Sequence, residues 1–276
     1  MMFRRPVVAL LMSVGLLTTP TTSRAMDCVV VRDDYDSAGQ PIIGVTLAQS
    51  AQAKALCGSL KVVTRTRNDP RPNVRVSTTY LEFENPLTKG ERLYNELIGK
   101  AVGQLSLSGK IDDPAFKHEH ILDIHSFYRS PRLLSAQYLI WLCCGAHGFA
   151  SSIAVNIDME RNAVLVPADL FRVGAVANFC WRQFNALDGQ GTFARQLPLD
   201  KEFTDSDFER PRSASEPRTL RAFSETLTNP GSWSFTDSKI EIWFGYLLGY
   251  APGPMVCSMD NAELRRMTRD GVNAPP

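Results

Sequence analysis

The stretch that most constrains the fold runs from Trp141 to Phe171, WLCCGAHGFASSIAVNIDMERNAVLVPADLF. It closes one apolar run and crosses a tight corner, Gly145-Ala146-His147-Gly148. The glycines at either end of that corner permit backbone angles that a Cβ would forbid. The chain returns through Ser151 to Asp158, whose composition predicts a strand, and turns at Glu160-Arg161-Asn162. A short extended stretch, Ala163 to Val166, then enters a helix beyond Pro167. The corner also gathers three reactive side chains, Cys143, Cys144 and His147.

The first residues read as a leader. Arg4 and Arg5 form a positive start, and Val7 to Leu17 form an apolar run too short to span a membrane comfortably. Ser23-Arg24-Ala25 places small residues where a signal peptidase cuts, so residues 1–25 are expected to be a bacterial Sec-type signal peptide. The expected mature chain, starting near Met26, is periplasmic or secreted and has no membrane anchor. Loss of Arg4, Arg5 and Arg24 moves the formal charge from +1 to −2. A nearly neutral chain with mixed signs lacks the basic footprint that phosphate backbones require, so nucleic acid is not an expected partner.

All six cysteines follow the leader. An even count in an oxidising compartment predicts disulfides at Cys28, Cys57, Cys143, Cys144, Cys180 and Cys257. Cys28 and Cys57 are isolated near the start and are expected to pair. A bond between neighbours 143 and 144 would strain the backbone, so each is expected to pair elsewhere. Cys180 lies on an apolar helical stripe and is expected to bond Cys143 or Cys144, with Cys257 taking the other. No paired CxxC spacing supports zinc, and neither a metal nor a cofactor is expected.

Along the chain, Cys28 to Arg32 reads as a strand and Leu47 to Leu56 as a helix. Leu60 to Thr66 and Val74 to Phe83 are rich in β-branched residues and read as strands. Thr88-Lys89-Gly90-Glu91 fits a capping box, and Tyr94, Leu97, Ile98, Ala101, Val102 and Leu105 then recur at helical spacing. A strand from His118 to Tyr128 places His118 and His120 on one face and His125 on the other. An H-x-H pair on a strand can bind a metal, but no third ligand has motif-like spacing to it, so a polar strand end is preferred. Leu133 to Leu142 is the partner strand.

Beyond Asp169, the apolar positions Val176, Phe179, Cys180, Phe184 and Leu187 predict a helix. The charged patch from Asp200 to Arg212 reads as a solvated face. Leu220, Phe223 and Leu227 predict a short helix ended by Asn229-Pro230-Gly231. Trp233 to Thr236 and Ile240 to Leu248 predict a hairpin, followed by a turn at Gly249-Tyr250-Ala251-Pro252-Gly253-Pro254. Met255 to Ser258 reads as a strand, and Asp260 caps a last helix from Asn261 to Met267.

Two blocks, CCGAHGFASSIAVNIDMERNAVLVPADLF and WSFTDSKIEIWFGYLLGYAPGPMVCSMDNAELRRM, resemble one bacterial family. It is the exported domain of the anti-sigma factor RsiV, also found attached to the peptidoglycan deacetylase PdaC. The resemblance covers roughly Glu119 to Met267 and divides the mature chain into an N-terminal strand and helix portion, 26–118, and a family-type portion, 119–276. It implies an α+β fold with helices packed on an antiparallel β-sheet, in agreement with the elements above. It also implies binding rather than catalysis, with a lysozyme-like muramidase or peptidoglycan as partner. By that analogy the turn with Gly249, Tyr250 and Pro252 and the corner with His147 are the binding surfaces. This chain departs from the family in having Gly249 where a Pro is common, and Cys143 and Cys144 where aromatic and Gly residues are usual.

The alternative is a cell-wall hydrolase with His147 as general base and Asp158 or Asp169 as its orienting carboxylate. No nucleophile motif such as G-x-S-x-G accompanies His147, so the binding reading is preferred.

Overall fold

The structure, a computed structural model, describes residues 28–35, 41–48, 50–68, 74–105, 118–143, 149–187, 202–210, 212–245, 247 and 255–270. The chain is α+β. Its largest element is a six-stranded sheet of β3 (Leu60–Asn68), β4 (Val74–Phe83), β5 (His118–Arg129), β6 (Leu133–Cys143), β7 (Phe149–Asp158) and β8 (Ala163–Val164), paired in that order. Every pairing is antiparallel except β4 with β5, which run parallel. A parallel pair needs a long crossover, and helix α1 of that crossover (Lys89–Gln104) lies across one face of the sheet. The sheet therefore runs continuously from the N-terminal portion into the region of family resemblance.

The start of that helix follows from its sequence. Thr88 Oγ1 accepts from the Glu91 N–H at 3.1 Å, and Glu91 Oε2 accepts from the N–H groups of Thr88 at 3.1 Å and Leu87 at 2.6 Å. Glu91 is buried and also pairs with Arg129 of β5, whose guanidinium lies over the Phe83 ring. Burial works against the charged Glu91 carboxyl, but Arg129 and the two N–H donors outweigh it and its pKa is lowered. The helix buries Tyr94 and Ile98 against Phe83, Leu122, Phe127, Tyr138, Val155 and Ile157. Full burial of each such apolar side chain contributes about 1.5–3 kcal/mol.

On the same side lies a hairpin of β1 (Val29–Tyr35) and β2 (Pro41–Leu47), followed by helix α2 (Ala51–Cys57). The helix expected to begin at Leu47 begins later. Leu47 pairs with Val29 as the end of a strand, and Ser50 caps the helix by accepting from the Ala53 N–H at 3.0 Å. Cys28 and Cys57 form the expected disulfide.

The opposite face of the large sheet carries a three-stranded sheet in the order β11 (Met255–Asp260), β10 (Lys239–Gly245) and β9 (Trp233–Phe235). Helices α3 (Pro167–Leu170), α4 (Val173–Leu187), α5 (Arg218–Thr228) and α6 (Asn261–Met267) accompany it. The second core is aromatic. Phe244 stacks on Phe223 and meets Phe184 edge-on, each with ring centroids 5.0 Å apart, and Phe171 stacks on Trp233 at 5.8 Å.

The expected pairing of Cys180 with Cys143 or Cys144 is corrected, and so is that of Cys257. Cys180 of α4 bonds Cys257 of β11. The apolar stripe of α4 faces the small sheet rather than the strand that carries Cys143, so the thiol within reach is the one on β11. The charged patch is corrected in part. Phe203 is buried against Trp181 and Phe223, and Asn178 both donates to and accepts from the Phe203 backbone at 2.8 Å. The segment comes so close to α4 that a Cβ on Gly174 would lie 2.5 Å from the Thr204 carbonyl carbon.

Between the two sheets the contact is polar. Ser135 of β6 donates to Asn156 Oδ1 of β7 at 2.7 Å and accepts from the Phe235 N–H at 3.0 Å. The Asn156 amide donates to the Trp233 carbonyl at 2.7 Å and the Pro230 carbonyl at 3.0 Å, and Ser234 donates to Gln137 Oε1 at 2.9 Å. Buried polar groups of this kind must find partners, and these place the small sheet over one end of the large one.

Candidate functional site

The residues at the edge of that polar contact form the candidate site. Strand β5 slips register between Ile124, which faces Tyr138, and Ser126, which faces Gln137. His125 is the extra residue. A bulge bends its strand and re-aims a side chain. Here His125 faces β10, with its ring 5.8 Å from the Trp243 ring and edge-on to it. Its Nε2 lies 3.7 Å from Glu241 Oε2, an ion-pair distance rather than a short hydrogen bond. Strand β10 also slips register between Trp243 and Gly245, and Gly245 takes a φ of +59° that favours glycine. Alternation along β10 turns Ile240, Ile242 and Phe244 into the aromatic core and leaves Glu241 and Trp243 for the large sheet.

Glu241 is strongly held in its charged form. His125 contributes first, burial opposes, and Lys239, which donates to the other carboxylate oxygen, adds to the pull. The net result is a pKa of about 2. Asp123, two residues before the bulge, behaves in the opposite way. Burial raises its pKa, and the hydrogen bond from Thr79 only partly offsets that. Among the described residues Asp123 has no cation within ion-pair reach. Beside it on the same sheet face stand Leu139 and Trp141, and Trp141 is 44% exposed although β6 has a strand on each side. Three buried polar atoms near the bulge, Ser126 Oγ, Gln137 Nε2 and Trp243 Nε1, have no hydrogen-bond partner among the described residues. Ser126 therefore makes no hydrogen bond to His125, and the two do not form a nucleophile and base.

The residues singled out from sequence fall elsewhere. His147, Gly249, Tyr250 and Pro252 lie outside the described residues, as do Cys144 and the side chain of Cys143. Asp158 closes β7, where its Oδ1 accepts from the N–H groups of Glu160 at 3.0 Å and Arg161 at 2.9 Å; it organises a turn. Phe149, at the other end of β7, is the described residue nearest in sequence to His147, so Asp158 stands a full strand away from that end. Asp169 is exposed in the first turn of α3. His120 is buried on the face opposite His125, with Nδ1 3.2 Å from the Leu105 carbonyl. Among the described residues no three of His, Cys, Asp and Glu are grouped to hold a metal ion.

Sequence reasoning did not single out Asp123, Trp141, Glu241 or Trp243. A Trp at an outward position of an otherwise apolar strand was the one available signal. The meeting of His125 with β10 left none, because the two strands are far apart in the chain.

No protein-family model and no curated protein matches the sequence. Solved structures do resemble the chain. A DUF3298 family protein from Pseudomonas aeruginosa PAO1 matches over 76% of this chain and 94% of that one, at 13% identity and a TM-score of 0.47. A DUF3298 family member from Bacteroides fragilis matches over 78% and 95%, at 12% identity and a TM-score of 0.45. Two disulfides are formed among the described residues, the chemistry of an oxidising compartment. No helix among the described residues is long and apolar enough to cross a membrane.

Proposed function

We propose that the chain is an exported cell-envelope protein that binds rather than catalyses, and that its partner is a lysozyme-like muramidase or peptidoglycan. The observation that carries this reading is Trp141, an exposed indole on an interior strand, diagonal across the β5–β6 pair from the Asp123 carboxyl. Exposed aromatics on a rigid scaffold are the usual anchors of recognition surfaces. The resemblance to the RsiV exported domain supplies the partner class. By the same resemblance the corner with His147 and the turn with Gly249, Tyr250 and Pro252 are further binding surfaces. Strand β6, which carries Trp141, leads into that corner, and β10, which carries Trp243, leads into that turn.

The mature chain, immobilised and challenged separately with a purified lysozyme and with purified peptidoglycan sacculi, tests the reading. Saturable retention of one of them is expected, weakened about tenfold or more by Trp141→Ala or Tyr250→Ala. Retention of neither, or retention that both variants leave unchanged, overturns it.

A further inference from the structure

The part of the large sheet that β9, β10 and β11 leave uncovered has a chemistry of its own. On the covered face of β6, exposure rises along the strand. Ser135 and Gln137 are buried, Leu139 is half-buried, and Trp141 is exposed. Trp141 faces Ile121 across the β5–β6 pair, and Leu139 faces Asp123. Trp141 and Asp123 are therefore diagonal cross-strand neighbours, roughly 7–8 Å apart. Thr79 closes the group from β4. Arg75 and Glu119 are register neighbours, and Glu241 is taken by Lys239 and His125. What remains is an aromatic platform beside a carboxyl whose one side-chain donor among the described residues is Thr79.

We infer that this uncovered half is a saccharide subsite, in which one neutral pyranose ring stacks its C–H face on Trp141 and donates hydroxyl hydrogen bonds to Asp123. The inference rests on the envelope-binding reading and narrows it to a ligand chemistry. A pyranose has an apolar face bordered by hydroxyls, and this site has an apolar indole bordered by a hydrogen-bonding carboxyl. An apolar side chain seated on Trp141 would bury Asp123 with its free lone pairs unanswered, which disfavours it. An anion would meet Asp123 with no cation to balance it. An ammonium group needs an ionised partner, and the burial that resists ionisation of Asp123 weakens that match.

Titration of the mature chain with chitotetraose, a neutral glycan, followed by tryptophan fluorescence and calorimetry, tests the inference. Saturable binding with a Kd of about 0.1–1 mM is expected. Trp141→Ala and Asp123→Ala should each weaken it about tenfold or more, while Trp141→Tyr, which keeps an aromatic face, retains most of the affinity. No binding at about 10 mM glycan, or binding that Trp141→Ala leaves unchanged, overturns the subsite. Retention on lysozyme and on sacculi is measured with the same proteins. If either retains the chain while chitotetraose does not bind, the subsite fails and the envelope-binding reading stands. If nothing binds, both fail.

Discussion

The side chain of Asn156 on β7 holds the backbone of Trp233 on β9, with Nδ2 2.7 Å from the Trp233 carbonyl oxygen. The same amide donates to the Pro230 carbonyl, and its own oxygen accepts from Ser135. One buried side chain thus ties the small sheet to the large one, and its donor and acceptor ends cannot be exchanged. Asn156→Asp would set a carboxyl against two carbonyl oxygens and should cost about 3–5 kcal/mol. Asn156→Ala should cost about 1–3 kcal/mol, the penalty for carbonyls left without donors. Urea unfolding of both variants checks the order. An Asp variant as stable as the Ala variant would show that the small sheet is held by its apolar side alone.

The Glu91–Arg129 pair joins the start of α1 to the end of β5 in a largely buried setting. Arg129→Ala leaves a buried carboxylate with backbone donors only and should cost about 3–5 kcal/mol. Replacing both residues, as Glu91→Gln with Arg129→Met, should recover part of that loss, because no unpaired charge then remains. A double-mutant cycle by thermal melting measures the coupling. Losses that simply add would argue against a specific pair.

Peptide mapping of the unreduced protein should recover Cys28 linked to Cys57 and Cys180 linked to Cys257. The second bond closes a separation of 77 residues, and its removal as Cys180→Ala with Cys257→Ala should cost about 4.5 kcal/mol in the chain-entropy model. A peptide joining Cys180 to Cys143 or Cys144 would contradict the packing of α4 on β11.

Two carboxyls of the candidate site should leave opposite signatures in the pH dependence of stability. Glu241 is lowered from the ordinary 4.5 to about 2, so its contribution is present above the upper value and is lost as pH falls toward the lower one. Asp123 is raised from 3.8, so its contribution favours folding at low pH and is lost as pH rises through its folded value. Glu241→Gln should therefore destabilise at about pH 7 and become nearly neutral at about pH 2. Asp123→Asn should leave stability at about pH 7 unchanged or raised, as expected of a half-buried carboxyl retained for something other than folding. Melting temperatures across that range decide it. A Glu241→Gln cost that does not vary with pH would remove the ion pair from the account.

Much of the fold was legible because its signals are local. The box at Thr88 and Glu91, the cap at Asp260 and the alternation of Ile240, Ile242 and Phe244 each lie within a few residues. Each specifies an element by itself. The candidate site was less legible. Nothing in the run from Leu133 to Leu142 marks Ser135 and Gln137 as buried, yet both lie under a second sheet. The His125 bulge is a slip of one residue that local propensity does not specify.

Although β2 went unread and α2 begins later than expected, local sequence sets most of the strands and helices, the caps at Thr88 and Asp260, and the apolar faces. Those properties depend on hydrogen bonds and side-chain spacings inside a single turn or strand. That Cys180 meets Cys257, that Asn156 grips the backbone of Trp233 and that Trp141 stays exposed depends instead on the packed layers. These are meetings of distant segments. They are set by how two layers of fixed width stack and by which buried polar groups can satisfy one another, and neither condition exists until the layers have come together.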